Sequence, residues 1–256
     1  MKLRNICLSV FTVIFLSLVA LMGGIRLMLP EEEPVMSDAL KDIDPTDMSV
    51  YYAMGEYYPP NVVDTLNIDW QGGRVEIIAY NGDDYFVEEA STRQLMEDER
   101  LSYKWEDESF SVTFTADEEM VIDDAYKKIE IRVPREKAES LKEININTNG
   151  EVVLKNITVD KLTVNGKNGN IVCSNTYSNN TEITSTGGNV DLSVRNEIGY
   201  SLDFSSKNGK LTSYIDNGMN SYISGDGAYP FKIRTEKGNL NVSLFEETEE
   251  RTEAES

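Results

Sequence analysis

Five short stretches decide the fold: Thr148-Asn149-Gly150-Glu151-Val152, Lys167-Asn168-Gly169-Asn170-Ile171, Thr186-Gly187-Gly188-Asn189-Val190, Lys207-Asn208-Gly209-Lys210-Leu211 and Glu236-Lys237-Gly238-Asn239-Leu240. Each runs through a polar residue, then Asn, Gly or Lys, then glycine, a second polar residue and Val, Ile or Leu. The central glycines are 19, 19, 21 and 29 residues apart. Gln71-Gly72-Gly73-Arg74-Val75 is an earlier copy of the same unit. A glycine turn recurring with a period near 20, each time ahead of a short apolar strand, is the mark of a repeat architecture. Asn-Gly and Gly-Gly supply positive φ at low cost, which tight turns demand. Gly73, Gly150, Gly169, Gly188, Gly209 and Gly238 are therefore read as structural turn glycines.

The segments between these turns are short: Ile144-Asn145-Ile146, Val152-Val153-Leu154, Leu162-Thr163-Val164, Ile183-Thr184, Val190-Asp191-Leu192, Leu202-Asp203-Phe204 and Leu211-Thr212. Each offers one to three apolar residues to one side and Asn, Thr, Ser, Asp or Lys to the other. One such unit cannot bury a useful core. Stacking units ~4.8 Å apart builds a continuous apolar column and pairs the backbone edges. Residues 140–245 thus predict a β-solenoid or a closely related stacked-strand layer, with a two-sheet sandwich joined by long hairpins as the alternative.

Upstream, Leu66 to Trp70, Val75 to Ile77, Val112 to Phe114 and Ile129 to Val133 alternate with period two, as half-buried strands do. Turn chemistry separates them at Gln71-Gly72-Gly73, Asn81-Gly82-Asp83-Asp84 and Glu106-Asp107-Glu108. Pro134 closes its strand because it has no N–H for the ladder. Glu136 to Lys142 is the one short helical turn expected outside the membrane. Residues 61–134 are less regular than the repeat and suit a β-cap over the exposed edge of its first rung. The fold class is all-β.

Ile6 to Ile25 is an uncharged, mostly apolar run of 20 residues. At ~1.5 Å per residue it spans a hydrocarbon core about 30 Å thick. Lys2 and Arg4 precede it, and Glu31, Glu32 and Glu33 follow Arg26, so the N-terminus is expected in the cytoplasm and the rest outside. A cleaved signal peptide is the rival reading, but its apolar region is shorter and ends in a small-x-small site. The organisation expected is therefore an anchor over 1–29, a tether over 30–60, the β-repeat domain over 61–245 and an acidic tail over 246–256. The tether holds Pro30, Pro34, Pro45, Pro59 and Pro60 with Tyr51, Tyr52, Tyr57 and Tyr58. The tail carries six Glu and one Arg and is expected to be disordered by self-repulsion.

Charge and composition exclude much of the known chemistry. The 256 residues hold 45 Asp and Glu, 24 Lys and Arg and no His, a formal net charge of −21. Without histidine there is no Ser-His-Asp triad and no His-ligated metal. So negative a chain repels phosphate backbones, and no nucleic-acid partner is expected. Cys7 lies in the apolar run and Cys173 in a predicted strand, so no intrachain disulfide is expected, and Cys173 reads as a small buried hydrophobe. Asp83-Asp84, Glu88-Glu89, Glu118-Glu119 and Asp123-Asp124 are paired acids, but in turn-like stretches, not across a cleft as glycoside hydrolysis needs. Gly225-Asp226-Gly227 and Gly187 to Asp191 faintly resemble calcium-binding β-roll turns, although the full nonapeptide never recurs. No cofactor or resident metal is expected. Asn156-Ile157-Thr158, Asn179-Asn180-Thr181 and Asn241-Val242-Ser243 are formal glycosylation sequons read as chance.

Taken together, Leu66 to Ile77, the strand ending in Val133-Pro134 and the serial glycine turns from Gly150 resemble a bacterial adhesin-like domain of unknown function, an auto-transporter-adhesin-like β-repeat. The resemblance covers residues 62–245, with the wide interval before Gly238 as its departure. It implies a membrane-tethered cell-envelope protein, similar to accessory proteins of envelope-stress systems, with no catalytic residues to carry over. The function expected is a non-catalytic extracytoplasmic module for adhesion, scaffolding or an envelope-stress interaction. Its expected partners are the membrane through residues 6–25 and an envelope or wall component or a second copy. The alternative is an enzyme acting on wall polysaccharide through carboxylates on one solenoid face. Several acids with an aromatic or Arg in one groove would favour the enzyme; flat Asn, Thr and Ser ladders would favour binding.

Overall fold

The computed structural model describes residues 54–58, 63–91, 95, 100–106, 108–114, 127–215 and 218–245. All lie in the second of two units, Asp44–Ser256; the first, Met1–Ile43, contains the expected membrane segment 6–25, which lies outside the described residues, as does the tail 246–256. No helix among the described residues is long and apolar enough to cross a membrane.

The first part of the chain forms strands β1 (Met54–Tyr58), β2 (Thr65–Trp70), β3 (Arg74–Tyr80), β4 (Tyr85–Ser91), β5 (Ser102–Glu106), β6 (Ser109–Phe114) and β7 (Lys127–Pro134). A single helical turn, α1 (Arg135–Ala138), follows. The repeat then forms β8 (Leu141–Thr148), β9 (Val152–Lys155), β10 (Thr158–Gly166), β11 (Ile171–Ser174), β12 (Tyr177–Ser185), β13 (Val190–Val194), β14 (Tyr200–Ser206), β15 (Leu211–Ser213), β16 (Ser221–Ser224), β17 (Tyr229–Thr235) and β18 (Leu240–Leu244).

The strands make two nine-stranded sheets. The order is β1-β4-β7-β3-β9-β11-β13-β18-β15 in the first and β16-β14-β17-β12-β10-β8-β2-β6-β5 in the second. From β8 to β15 the chain alternates between them, one strand to each, so each rung is a strand of the second sheet, a glycine turn and a strand of the first. Neighbouring rungs pair in parallel. Val164 stands beside Ile146 and Ile183, and Cys173 beside Leu154 and Leu192. Parallel pairing in register places every inward apolar residue on its counterpart one rung away, which is why a two-residue alternation suffices for a continuous core. Ile144, Leu162, Val164, Ile171, Val190, Ile233 and Leu240 are fully buried in that column. The architecture is all-β with mostly parallel sheets and no hairpin within a middle rung, a β-solenoid-like stack.

The glycine turns form one edge of the stack. A Cβ on Gly150 would lie 1.5 Å from the Gly73 carbonyl oxygen, on Gly169 2.1 Å from the Gly150 carbonyl carbon, and on Gly188 1.9 Å from the Gly169 oxygen. One on Gly238 would meet the Gly188 oxygen at 1.9 Å, and one on Gly209 the Gly238 oxygen at 1.8 Å. The six turn glycines therefore stack in the order 73, 150, 169, 188, 238, 209. The expectation that they serve positive φ is corrected. Among the described residues the glycines with positive φ are Gly218, Gly225 and Gly227, none of them in the column. What the column requires is the absence of a side chain where one backbone lies on the next. Positive φ belongs to the opposite edge, at Asn156 (57°) and Asn175 (48°), where the Asn175 amide donates to Asn156 Oδ1 at 2.8 Å.

The ends depart from chain order. β17–β18 insert between β12–β13 and β14–β15. The 29-residue interval before Gly238 holds β16 and the chain's return. At the start, β6 and β7 lie outside β2 and β3, and the chain then crosses to β8 and β9 on their other side. Antiparallel strands close the edges: β4 on β7 and β1 on β4, β5 on β6, and β16 on β14. Two further expectations are corrected. Met54–Tyr58, read as the end of the 30–60 tether, is edge strand β1, and the helix stops at Ala138. Leu141 is buried and pairs with Val159, so the chain is extended where the helical turn was expected to continue.

Candidate binding faces

The outer face of the second sheet is built from the outward positions of its strands. One row, aligned across the stack by parallel pairing, reads Ser111, Asn67, Asn145, Thr163, Glu182, Lys232, Asp203. The next reads Thr113, Asp69, Asn147, Asn165, Thr184, Arg234, Ser205. Side chains bond from rung to rung. Asn145 Nδ2 donates to Asn67 Oδ1 at 2.9 Å, Asn67 Nδ2 to Ser109 Oγ at 2.9 Å and Asn147 Nδ2 to Asp69 Oδ1 at 3.0 Å. Lys161 reaches Glu143 at 2.5 Å and Lys232 reaches Glu182 at 3.0 Å. Ladders of this kind hold the amides flat along the sheet and leave their remaining donors and acceptors facing out.

Two shallow depressions mark this face. The first, of about 450 Å³, lies over the amide ladder and contains Asp69 as its one acid. The second, of about 440 Å³, lies beside the glycine edge and is lined by Thr184, Thr186, Ser205, Lys207, Arg234 and Glu236 among others. Neither brings two carboxylates together across a groove, which is the geometry glycoside hydrolysis requires.

The outer face of the first sheet differs. Near its start, Glu88, Glu130 and Glu76 stand side by side on β4, β7 and β3. Basic residues enclose them. Lys128 lies 2.8 Å from Glu130 and 3.4 Å from Glu76, Arg132 lies 2.5 Å from Glu130 and 3.7 Å from Glu88, and Lys155 lies 3.2 Å from Glu76. Arg74 adds contacts to Glu76 at 3.4 Å and Glu151 at 3.3 Å. Glu76, Glu130, Lys128 and Arg74 are all buried. Burial pushes the Glu130 carboxyl up, but the hydrogen bonds and charges of Lys128 and Arg132 outweigh it and hold the group below its ordinary range. Inside the core at this end, Lys127 is wholly buried, 2.6 Å from Glu89 and over the ring of Phe114. Each of these charges is matched, as burial demands.

The displaced carboxyls all move the same way. Hydrogen bonds from Lys142, Lys161, Lys232 and Lys207 hold Asp64, Glu143, Glu182 and Glu236 low. A general acid needs its pKa raised, so these groups are unsuited to that role. The Cys173 thiol is buried and pushed up to about 12, first by desolvation and then by Asp191, which makes it a poor nucleophile. Asp226, in the turn with faint calcium character, accepts the Ala228 N–H, and Asp191 accepts from Asn241. Among the described residues no three Asp, Glu, Cys or His converge to hold a metal ion. Of the paired acids, Asp83-Asp84 lie in the turn before β4 and Glu88-Glu89 point to opposite faces of β4; positions 118–119 and 123–124 lie outside the described residues.

The fold and its faces define a two-sheet, solenoid-like module whose chemistry lies on flat polar surfaces. Residues 142–243 match the family model described as Toastrack DUF4097, and the chain carries a β-repeat domain of unknown function. A solved structure from Clostridium sporogenes, described as a "putative cell adhesion protein", has the same fold. It has a TM-score of 0.50 and 16% identity, over 76% of this chain and 99% of that one. A "putative adhesin" from Bacteroides fragilis aligns over 78% of this chain and 99% of its own at 11% identity, with a TM-score of 0.36. A "putative lipid binding protein" from Parabacteroides distasonis aligns over 75% and 96% at 11% identity, with a TM-score of 0.32. No curated protein matches.

Proposed function

We propose that this protein is a non-catalytic binding module, held outside the cell by the apolar segment 6–25, that contacts an envelope component through the outer face of its second sheet. The observation that carries this reading is the amide and hydroxyl ladder over Asn67, Asn145, Asn147, Thr163 and Asn165. It presents hydrogen-bonding groups in a flat, repeating array and has no cleft with opposed carboxylates. Stacked strands hold these groups at rung spacing without loop entropy to lose on binding, which suits an extended polymer or another flat surface. A scaffold within an envelope-stress system is compatible with the same face.

Protease shaving of intact cells bearing a C-terminal epitope tag tests the location. Loss of the tag with survival of a cytoplasmic control supports it. A tag that survives on wall-stripped cells and is lost on lysis overturns it. Attachment of the same cells to purified envelope material tests the face. The double variant Asn145→Lys/Thr163→Lys is expected to lower attachment severalfold at unchanged surface display. Unchanged attachment would remove the face from the proposal.

A further inference from the structure

Charge is divided unevenly along this chain. Residues 142–243 hold ten acids and ten bases, while the remainder holds 35 acids and 14 bases. The whole of the −21 therefore lies outside the matched repeat. Within it, five of the ten bases have carboxylate partners, Lys142, Lys155, Lys161, Lys207 and Lys232 each lying within 3.3 Å of one, and Arg195 lies over the Phe245 ring. Four remain. Among the described residues, Lys167, Arg234, Lys237 and Lys210 are exposed and have no acid within ion-pair distance.

These four lie together. Lys167, Lys237 and Lys210 sit in the glycine turns, and Arg234 lies on β17 one residue before Thr235, which leads into its turn. The backbone links the turns rung to rung. Gly187 N–H donates to the Lys167 carbonyl, Lys237 N–H to the Thr186 carbonyl, Asn208 N–H to the Glu236 carbonyl and Leu240 N–H to the Lys210 carbonyl. The result is a basic ridge along the glycine edge of the last four rungs, about 14 Å long at rung spacing. Lys207 joins it, sharing its charge with Glu236 at 2.7 Å. Arg234 stands in register between Thr184 and Ser205, two short hydroxyl residues, which leaves the 440 Å³ depression around its guanidinium.

We infer that this depression and ridge bind the phosphate groups of a linear phosphate-bearing polymer. A guanidinium offers a planar fork of donors, and flanking hydroxyls add donors from both sides, which matches a tetrahedral oxyanion. Lysines repeated along the ridge supply point charges for successive phosphates. The repulsion expected of so negative a chain rests on its total charge; the repeat that carries the ridge is itself balanced, ten acids against ten bases, and screening acts over ~8 Å at physiological ionic strength. The site lies on the same outer face as the amide ladder, with Arg234 two strands beyond Asn165 in its row. It uses charge where the ladder uses amides, so loss of binding here leaves the ladder's reading untouched.

The test measures binding of fluorescent long-chain polyphosphate to the full chain in neutral detergent, with inorganic phosphate and polyglutamate as competitors. Arg234→Gln is expected to weaken binding about tenfold, the loss of a charge-assisted contact. Lys210→Gln/Lys237→Gln is expected to weaken it further and to flatten its salt dependence, since fewer counterions are released. Lys137→Gln, the same charge change on α1, is expected to leave affinity unchanged. Thermal melts confirm that the variants remain folded. Absence of binding, or equal loss in the Lys137 variant, overturns the site. Equal affinity per phosphate for inorganic phosphate overturns the polymer, and equal competition by polyglutamate overturns the choice of phosphate.

Discussion

The two long edges of the stack solve the same problem, reversing the chain between sheets, with different residues for different reasons. Along one edge, glycines lie so close to the rung below that any Cβ would sit inside a carbonyl group. Along the other, Asn156 and Asn175 take a left-handed backbone, and their side chains bond to each other. Glycine is conventionally placed where φ is positive, as at Gly218, Gly225 and Gly227, yet after β9 and β11 asparagine takes that backbone and the column glycines are selected by space. A recurring glycine in a stacked-strand protein can therefore report rung packing rather than turn type.

That distinction is most sharply broken by substitution within one turn. Gly169→Ala places a methyl 2.1 Å from the Gly150 backbone, which cannot give way as a side-chain tip would. The expected loss is about 3 kcal/mol, at the upper end of ordinary overpacking. Gly187→Ala, one rung away and beside a column glycine, meets its nearest neighbour at 3.2 Å. It is expected to change stability by less than about 0.5 kcal/mol, as an ordinary surface change does. Chemical denaturation of the two variants decides the matter. Equal losses would show that the turn as a whole, and not the column, demands glycine.

How much of this was legible in the sequence follows from the same contrast. The glycine column, its strands and the buried Cys173 could be read from local pattern, because each rung repeats the same five-residue unit. The exchange of the last two rungs could not. Leu211 and Leu240 follow equivalent turns, and nothing local says which lies against Val190; β18 does. The cost of this crossing is small, since closing a 50-residue loop instead of a 19-residue one adds about 0.9 kcal/mol of entropy. The asparagine edge lies partly in Asn156-Ile157-Thr158, which reads as a chance sequon, although an Asn directly after β9 and again directly after β11 is a usable signal. The polar ladder was visible residue by residue as outward Asn and Thr. Its alignment depended on register, which only non-local pairing fixes. Met54–Tyr58 was hidden by prolines on both sides, and its pairing partner lies 30 residues away in β4.

Acid separates the edges from the network at the start of the first sheet. Neither the stacked glycines nor the paired asparagines titrate, so their contribution is indifferent to pH. Glu130 titrates below its ordinary value of 4.5 in the folded chain. A depressed carboxyl stabilises the fold fully above its unfolded pKa, and that contribution disappears as pH falls through the folded value. Hydrogen exchange followed downward from pH 5 is therefore expected to show β3, β4 and β7 losing protection before β11 and β13. Glu130→Gln should flatten that difference. Simultaneous loss everywhere would mean that the network is not what acid releases.

The smallest effect tests the asparagine edge. Asn175 sits at φ 48°, where alanine is strained and glycine is not. Asn175→Ala loses both the backbone tolerance and the bond to Asn156, so it should cost about 1–2 kcal/mol. Asn175→Gly loses the bond alone, and its free backbone offsets little else, so about 0.5 kcal/mol is expected. The ranking glycine above alanine at position 175 arises from a backbone angle. At position 169 the native glycine outranks alanine by a larger margin for want of space. If alanine and glycine were equivalent at 175, the side-chain bond and not the angle would be what holds that edge, and the two edges would differ in chemistry but not in geometry.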